Sequence, residues 1–215
     1  MKYSLCLLAA GKGTRMQLPY NKVFYEVRDG DTVLDASLNL FLQDPDCQQI
    51  LLMYARDDKE YMQERYGQRK EIELYEGGKT RQESAYIALK HVVCPYVFIH
   101  DAARPYLERE NIELLKQTLE TEDACLLMVP SVDTVKIVRD GYVHKTLLRM
   151  ELYNAQTPQC FKTDLILSCY ERSMQEKRQA TDDAQLVEWY SDVPVKVVSG
   201  NLDNRKITLP KDLGL

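Results

Sequence analysis

Short apolar runs alternate with longer amphipathic stretches along most of the chain, and this alternation constrains the fold more than any other feature. Residues 3–8, 50–54 and 96–100 are compact apolar runs of the length typical of buried strands. Residues 80–90 and 109–119 instead carry apolar side chains at helical spacing. Alternating strands and helices imply βαβ units, so we predict an α/β fold with a mostly parallel, twisted sheet flanked by helices.

The pattern changes after Pro130, where β-favouring residues replace the alternation. Asp140-Gly141 lies among them and is a hairpin turn signal, so we predict a protruding β-arm at about residues 131–152. A lone hairpin is marginally stable in water, and a second copy of the chain is the simplest surface for it to pack on. The length fits a single domain, residues 1–215, with the arm as a dimerisation excursion, so we expect a homodimer.

Composition excludes several classes of protein. With 45% hydrophobic and 28% charged residues, the chain is typical of globular domains rather than of disordered or fibrous chains. No apolar run approaches the roughly 18–20 residues of a membrane span. The net charge of −5 argues against nucleic acid or an anionic membrane as a partner. The six cysteines are scattered without a C-x-x-C pair, so we expect reduced thiols and a cytoplasmic location.

A glycine-containing turn directly follows the first predicted strand. Gly11 and Gly13 allow the backbone to approach a ligand closely, and successive N–H groups in such a turn can cradle anionic oxygens. Lys12, Arg15 and Lys22 add three cations, a set that suits a triphosphate. Taken alone, the same residues would also make an ordinary tight turn with solvated charges. The third glycine of the dinucleotide-binding pattern is absent, which disfavours a dinucleotide oxidoreductase.

Later segments carry further candidate residues. Gly77 lies in a glycine pair that permits a turn against a flat ligand, before a helix with Arg81 and Ser84 on one side. Asp101 follows a predicted strand, where ligands gather in open α/β sheets, and it suits Mg²⁺ binding and a turn or helix cap equally well. Asp203 follows a late strand and, by itself, indicates an ordinary polar turn.

The candidate segments are more specific when they are taken together and in chain order. The matching pieces are Leu8-Ala9-Ala10-Gly11-Lys12-Gly13-Thr14-Arg15-Met16, Gly77-Gly78-Lys79-Thr80-Arg81-Gln82-Glu83-Ser84, His100-Asp101-Ala102-Ala103-Arg104-Pro105, Asp133-Thr134-Val135-Lys136, Ala155-Gln156-Thr157-Pro158-Gln159, Thr181-Asp182-Asp183-Ala184 and Asp203-Asn204-Arg205-Lys206-Ile207-Thr208. Over essentially the whole chain, they resemble the 2-C-methyl-D-erythritol 4-phosphate cytidylyltransferase family. The first motif is shared widely among sugar nucleotidyltransferases, whereas the later ones are more specific.

The resemblance implies a Rossmann-like nucleotidyltransferase domain that uses CTP and Mg²⁺, and a homodimer whose arm reaches the partner's site. The residues it implies for nucleotide binding are Ala9, Ala10, Gly11, Gly13, Gly77, Arg81, Ser84 and Ala102. Those implied for catalysis are Arg15, Lys22, Arg149 and Lys206. Those implied for binding the sugar phosphate are Arg104, Thr134, Arg149, Thr157 and Lys206, with Thr134 and Arg149 on the arm. Asp101 and Asp203 are the implied metal ligands.

The activity implied by the resemblance is the transfer of CMP from CTP to 2-C-methyl-D-erythritol 4-phosphate, with release of pyrophosphate. Two alternatives stay open. One is a ribitol 5-phosphate cytidylyltransferase, and the other is a non-catalytic, nucleotide-binding regulatory protein. The chain also departs from the family pattern at Val23, where glutamine is usual, and at Lys79, where an acidic or polar residue is commoner.

Overall fold

The computed structural model describes residues 1–11, 19–28 and 30–213, and its elements follow the predicted order. The strands are β1 Tyr3–Leu8, β2 Glu26–Arg28, β3 Asp31–Thr32, β4 Cys47–Tyr54, β5 Ile72–Glu76, β6 Tyr96–Asp101, β7 Ala124–Pro130, β8 Lys136–Arg139, β9 Tyr142–Thr146, β10 Tyr153–Lys162 and β11 Lys196–Ser199. The α-helices are α1 Val33–Leu42, α2 Lys59–Tyr66, α3 Arg81–Leu89, α4 Arg109–Thr118, α5 Thr163–Glu176 and α6 Asp183–Tyr190. Short 3₁₀ helices lie at Lys22–Phe24, Arg56–Asp58, Arg149–Glu151 and Pro210–Leu213.

Within the described ranges, seven strands form one sheet in the order β11-β7-β10-β6-β1-β4-β5. Strand β1 is parallel to β4 on one side and to β6 on the other, and Leu8 pairs in register with Met53 and with Asp101. The chain leaves β1 toward one edge and later returns on its other side. In open α/β sheets, this reversal of strand order creates a ligand crevice at the carboxyl ends of the strands.

The hydrophobic core lies on both faces of the sheet. Leu5 in β1 packs in a cluster with Leu34 and other apolar residues of α1, α2 and α4. Cys6, the next residue along β1, packs instead with Ala85 of α3 and Tyr170 of α5. Side chains alternate between the two faces of a strand, so a strand covered on both sides is apolar throughout. This accounts for the apolar run of β1, which only Ser4 interrupts, and confirms the predicted α/β architecture.

Polar side chains determine where the helices near the carboxyl ends of the strands begin. Thr32 accepts a hydrogen bond from the Asp35 N–H (3.1 Å), and the Asp35 carboxylate accepts one from the Thr32 N–H (2.9 Å), which forms a capping box for α1. Thr80 likewise accepts from the Glu83 N–H (3.1 Å) at the start of α3. Asp182 accepts from the Gln185 N–H (3.0 Å) at the start of α6. These caps hold the turns that precede α3 and α6.

Strand β10 is an element that the sequence pattern did not predict. It runs antiparallel between β6 and β7, so the sheet is mostly, not wholly, parallel. Its pairing with β7 is interrupted between Ala155 and Gln159, around a Thr157–Pro158 bond in the cis form. Proline cannot donate to a strand ladder, and the polar residues beside it hide the apolar alternation that identifies strands.

The predicted β-arm is present as the two-stranded sheet β8–β9, which is separate from the main sheet. Asp140 and Gly141 at its turn have φ angles of 51° and 82°, as expected of the left-handed residues in a hairpin turn. Its apolar side chains are largely exposed: Tyr142 is 79% exposed and Val143 65%. The arm therefore has no packing partner among the described residues of its own chain.

All six cysteines are free thiols, and only Cys47 is partly exposed. Among the residues described, no helix combines the length and the apolar character needed to cross a membrane.

Candidate functional site

A cavity of about 760 Å³ opens at the carboxyl ends of β1, β5 and β6. The backbone after β1 forms one wall, and the turn before α3 forms another. Nine of the sequence-predicted site residues line it, namely Ala9, Ala10, Gly11, Lys22, Gly77, Arg81, Ser84, Asp101 and Lys206. The topology therefore brings together residues from four distant segments of the chain, at the place where ligands bind in open α/β sheets.

The two glycine-bearing walls approach each other closely. A Cβ atom at Gly77 would lie 2.5 Å from Cβ of Ala10 and 2.8 Å from Oγ of Ser84, so no larger residue fits without a shift. The Ser84 hydroxyl accepts a hydrogen bond from the Gly78 N–H (3.1 Å) and donates to the carbonyl oxygen of Thr80 (2.9 Å). The turn is consequently held against α3, and small residues leave its backbone open to the cavity.

Asp101 ends β6 at the floor of the cavity, between two cations. Arg81 donates from Nε to Oδ1 (2.9 Å), and Lys206 donates from Nζ to Oδ2 (2.6 Å). Burial acts to raise the pKa of Asp101, but the charges of Arg81 and Lys206 outweigh it and hold that pKa far below its usual range. Asp101 is therefore ionised at neutral pH, and both of its oxygens carry a cationic partner.

Arg81 is itself fixed by a second carboxylate. Its terminal nitrogens donate to Asp183 at 2.8 and 2.7 Å, and the Tyr170 hydroxyl also donates to Asp183. Asp183 is fully buried at the start of α6. Its part in the site was not predicted, because the Thr181-Asp182-Asp183-Ala184 motif contributed only to the family resemblance and Asp183 was given no site role. The neighbouring Asp182 caps α6.

Lys22 and Arg104 contact the backbone of the loop that carries Lys206. Lys22 donates from Nζ to the carbonyl oxygen of Ile207 (2.6 Å), and Arg104 donates from Nη1 to that of Asn204 (2.7 Å). The Ile207 N–H in turn donates to the carbonyl oxygen of Ala103 (2.8 Å). The loop after β11 is thus joined to the segment after β6, and both form the same side of the cavity.

Two predicted site residues lie just behind the cavity wall. Ala102 is fully buried, and its N–H donates to the carbonyl oxygen of Leu8 (3.1 Å). The buried Thr157 hydroxyl accepts from the Asp101 N–H (3.1 Å) and lies 2.9 Å from Nδ1 of His100. Burial lowers the pKa of His100 to about 3, so its ring is neutral at neutral pH. Both residues support the position of Asp101 rather than line the cavity.

Other predicted site residues lie elsewhere. Thr134 and Arg149 are exposed on the arm and its flank and do not line the cavity of their own chain. Asp203 is also exposed and outside the cavity, so the structure does not bring it to Asp101. Lys12, Gly13 and Arg15 lie outside the described residues, and their roles stay predictions.

The donor set near the cavity fits Mg²⁺ through Asp101 rather than through Asp203. Mg²⁺ takes one or two protein carboxylates and completes its octahedral shell with water and substrate phosphate oxygens. Asp101 has a buried, ionised carboxylate that borders the cavity. No grouping of three or more histidine, cysteine, aspartate or glutamate side chains suited to a metal occurs in the described part of the chain. A metal here would therefore need most of its ligands from the substrate.

Fold and site together define a class of protein. A small-residue turn at the switch point of a mostly parallel sheet, with cations around an acidic floor, is the arrangement of an α/β protein that binds a phosphorylated nucleotide. The sequence profile of the IspD family, 2-C-methyl-D-erythritol 4-phosphate cytidylyltransferase, matches residues 4–215. The chain belongs to this family of cytidylyltransferases, which are nucleotidyltransferase enzymes.

Individual relatives agree with the family match. The chain is 38% identical over 213 residues to the 2-C-methyl-D-erythritol 4-phosphate cytidylyltransferase of Clostridium kluyveri, covering 96% of this chain and 91% of the relative. It is 39% identical over 215 residues to that of Clostridium novyi, with the same coverage. Among solved structures, 4-diphosphocytidyl-2C-methyl-D-erythritol synthase from Anaerococcus prevotii superposes with a TM-score of 0.85 at 32% identity, covering 99% of this chain and 94% of that one.

Proposed function

We propose that this protein transfers CMP from CTP to 2-C-methyl-D-erythritol 4-phosphate, giving 4-diphosphocytidyl-2-C-methyl-D-erythritol and pyrophosphate. The observation that carries the proposal is the cavity, in which Lys22, Arg81 and Lys206 gather beside Asp101 in a member of this family. Both substrates are small polyanions. A local group of cations can therefore bind them although the whole chain carries a net charge of −5.

The nucleotide occupies the cavity between the two glycine-bearing walls. The base lies against the turn at Gly77, with Ser84 and Ala10 beside it, because these small residues line the cavity and leave the backbone of the turn accessible. The triphosphate lies against Ala10 and Gly11, which follow β1 and line the cavity, since successive main-chain N–H groups in such a turn can cradle anionic oxygens. Arg15 acts on the same phosphates, as the family resemblance implies.

In the reaction, an oxygen of the 4-phosphate attacks the α-phosphorus of CTP in line. The bond from that phosphorus to the bridging oxygen breaks, and pyrophosphate leaves with the electron pair. The nucleophile is already an anion, so no general base is required. The barrier comes from bringing two polyanions together and from charge on the leaving group, and the cations lower it by positioning and electrostatics. Lys22 and Lys206 supply that charge.

Mg²⁺ at Asp101 would neutralise phosphate charge and orient the triphosphate. The ionised state of Asp101 supports this assignment. Arg81 and Lys206 hold the carboxylate in place beforehand, since each pairs with one of its oxygens.

The sugar phosphate is bound by Arg104 and Lys206, and by Thr134 and Arg149 from the arm of a second copy of the chain. Thr157, which the resemblance also implies for this role, acts from behind the cavity wall by holding Asp101. The exposed apolar side chains of the arm support a homodimer, because they need a surface to cover them. The six free thiols support a cytoplasmic location, where thiols stay reduced.

The test is a substrate screen on the purified protein that measures pyrophosphate release with Mg²⁺. Each nucleoside triphosphate is paired with methylerythritol 4-phosphate, and CTP is paired with both that compound and ribitol 5-phosphate. The proposal expects release only with CTP and methylerythritol 4-phosphate. Faster turnover of ribitol 5-phosphate would replace it with the related cytidylyltransferase. CTP binding without any turnover would indicate a non-catalytic, nucleotide-binding protein.

A further inference from the structure

The loop between β11 and the last 3₁₀ helix carries Lys206 into the cavity without regular secondary structure. Residues 200–208 contain neither helix nor strand. The Lys206 ammonium nevertheless lies 2.6 Å from Oδ2 of Asp101. A lysine on an irregular segment has many accessible positions, so other contacts must hold this loop if its charge is to stay at one place.

Beside the hydrogen bonds that join Ile207 to Lys22 and Ala103, Asn204 makes several of those contacts from a position with no solvent exposure. Its side-chain amide donates from Nδ2 to the carbonyl oxygen of Thr157 (3.0 Å) and to Oε1 of Gln156 (3.3 Å). Its main-chain carbonyl accepts the hydrogen bond from Arg104 (2.7 Å). Gln156 extends the connection by donating from Nε2 to the carbonyl oxygen of Asn201 (2.7 Å). The loop is thereby attached to the irregular part of β10.

Thr157 joins the two sides of the ion pair. Its carbonyl oxygen accepts from Asn204, two residues before Lys206, while its hydroxyl accepts from the main-chain N–H of Asp101 (3.1 Å). The lysine and the aspartate are therefore both fixed relative to this one residue. We expect a change at Asn204 to alter the position of Lys206 relative to Asp101 without removing either charge.

We propose that Asn204 is a positioning residue for the transfer reaction, acting through Lys206, with Gln156 as its outer support. The inference rests on the proposed function for its kinetic test. Asn204 does not line the cavity, so it acts by holding the loop rather than by contacting substrate.

A double-mutant cycle with Asn204→Ala and Lys206→Ala tests this inference. We expect Asn204→Ala to lower kcat by about 10- to 100-fold, as misplacement of a charged group by about 1 Å can do, with the KM for CTP nearly unchanged. In the Lys206→Ala background, Asn204→Ala should cause little further loss, because its target is gone. Losses that multiply in the double variant, or wild-type kcat in Asn204→Ala, would overturn the inference.

Asn111 is the matched control. It is also buried, and its Oδ1, like that of Asn204, is buried without a hydrogen-bond partner among the described residues, but it lies in α4, away from the cavity. Asn111→Ala should lower stability while leaving kcat unchanged. If Asn204→Ala does not fold, Gln156→Ala weakens the same attachment from outside and should give a smaller loss of kcat that also vanishes in the Lys206→Ala background.

Hydrogen exchange tests this inference without requiring that the protein have the proposed activity. In Asn204→Ala, amide exchange should rise in residues 200–208 and at Asp101, and it should not rise there in Asn111→Ala. If the wild-type protein releases no pyrophosphate, the proposed function fails, and the exchange result alone decides whether Asn204 positions the loop. Unchanged exchange in Asn204→Ala would contradict the inference whatever the activity of the wild type.

Discussion

The ammonium of Lys206 and the carboxylate of Asp101 lie 2.6 Å apart, although 105 positions separate them in the chain. This contact joins the last loop of the chain to the end of β6 at the floor of the cavity. Arg81 takes the other oxygen of the carboxylate, so Asp101 has a cation on each side. An incoming triphosphate would meet Lys206 next to a carboxylate that already suits a divalent cation. In the proposed reaction, the charge of Lys206 would act on the phosphates from a position that its contact with Asp101 fixes.

The first prediction concerns the charge of Lys206. Lys206→Gln should lower kcat at saturating CTP by about 10²–10³-fold, because one preorganised charge is removed from the phosphates. The measurement is pyrophosphate release. Lys211→Gln, at an exposed site later in the same segment, is the control and should retain wild-type turnover. A kcat of Lys206→Gln within threefold of wild type would remove Lys206 from the catalytic residues.

Asp183 gives a second prediction, because it anchors Arg81. Asp183→Asn leaves the partly exposed Arg81 guanidinium with Asp101 as its remaining carboxylate partner, and the loss of hydrogen bonds to a charged group costs about 1.5–3 kcal/mol of stability. Urea unfolding should show that loss, and calorimetry should show weaker CTP binding as Arg81 loses its fixed position. Asp192→Asn, exposed just after α6, should change neither quantity. Unchanged CTP affinity in Asp183→Asn would show that Arg81 does not need this anchor.

Patterns of neighbouring residues in the sequence predicted the parts of the site that follow from single strands and turns. The alternation of strands and helices, and the rule that ligands bind at carboxyl ends, placed Gly11 and Asp101 at one edge of the sheet, and Leu8 and Asp101 do pair in register. The contact between Arg81 and Asp183 spans 102 positions, and no short-range pattern contains it. Strand β10 was missed because its polar, proline-containing stretch lacks the apolar alternation that marks a strand.

The loop after β11 also shows that short sequence patterns do not predict tertiary contacts. Asp203 and Lys206 belong to one short motif, and both are polar residues that suit a phosphate or metal site. Tertiary contacts hold this loop, among them the hydrogen bond from the buried Asn204 to Thr157 on β10 and that from the Ile207 N–H to Ala103. Which residues of a loop face inward depends on tertiary contacts, so the motif alone could not distinguish the two.

The third prediction concerns the close approach at Gly77. Gly77→Ala places a methyl group 2.5 Å from Cβ of Ala10 and forces the two walls apart. Overpacking of this kind costs about 1–3 kcal/mol, and if that cost falls on the bound state, the KM for CTP rises by about 10-fold or more. The Ala10→Gly/Gly77→Ala double variant removes the nearest atom and should recover part of the affinity. An unchanged KM in Gly77→Ala would exclude this turn as the base-binding wall.

The fourth prediction tests the arm. Replacing Val138, Tyr142 and Val143 together by serine should convert the dimer to a monomer in sedimentation velocity, because these exposed apolar side chains would be the buried part of the interface. The activity of this variant should fall because the dimer is lost, since Thr134 and Arg149 would act in the partner's site. Val93→Ser, at an exposed valine away from the arm, is the control and should stay dimeric. A wild-type chain that sediments as a fully active monomer would contradict the proposed assembly.

The fifth prediction is a pH dependence of stability at Asp35, away from the cavity. Burial acts to raise the pKa of Asp35, but hydrogen bonds from Arg65 and Thr32 outweigh it and hold the pKa below its ordinary value. The folded state then binds the proton less tightly than the unfolded state, whose pKa is about 3.9. The stabilisation is complete above that value and is lost as the pH falls through the lower, folded-state pKa.

Asp35→Asn should therefore lower the free energy of unfolding by about 1.5–3 kcal/mol at pH 7, the range for hydrogen bonds to a charged group. The deficit should shrink as the pH falls below about 3.9, because the carboxylate of the unfolded wild-type chain takes up a proton there before that of the folded chain does. Urea unfolding at pH 7 and at pH 3 measures both values, with the exposed Asp31→Asn as the control. A deficit that is the same at both pH values would mean that Asp35 stabilises the fold by its shape and capping geometry, and not by its charge.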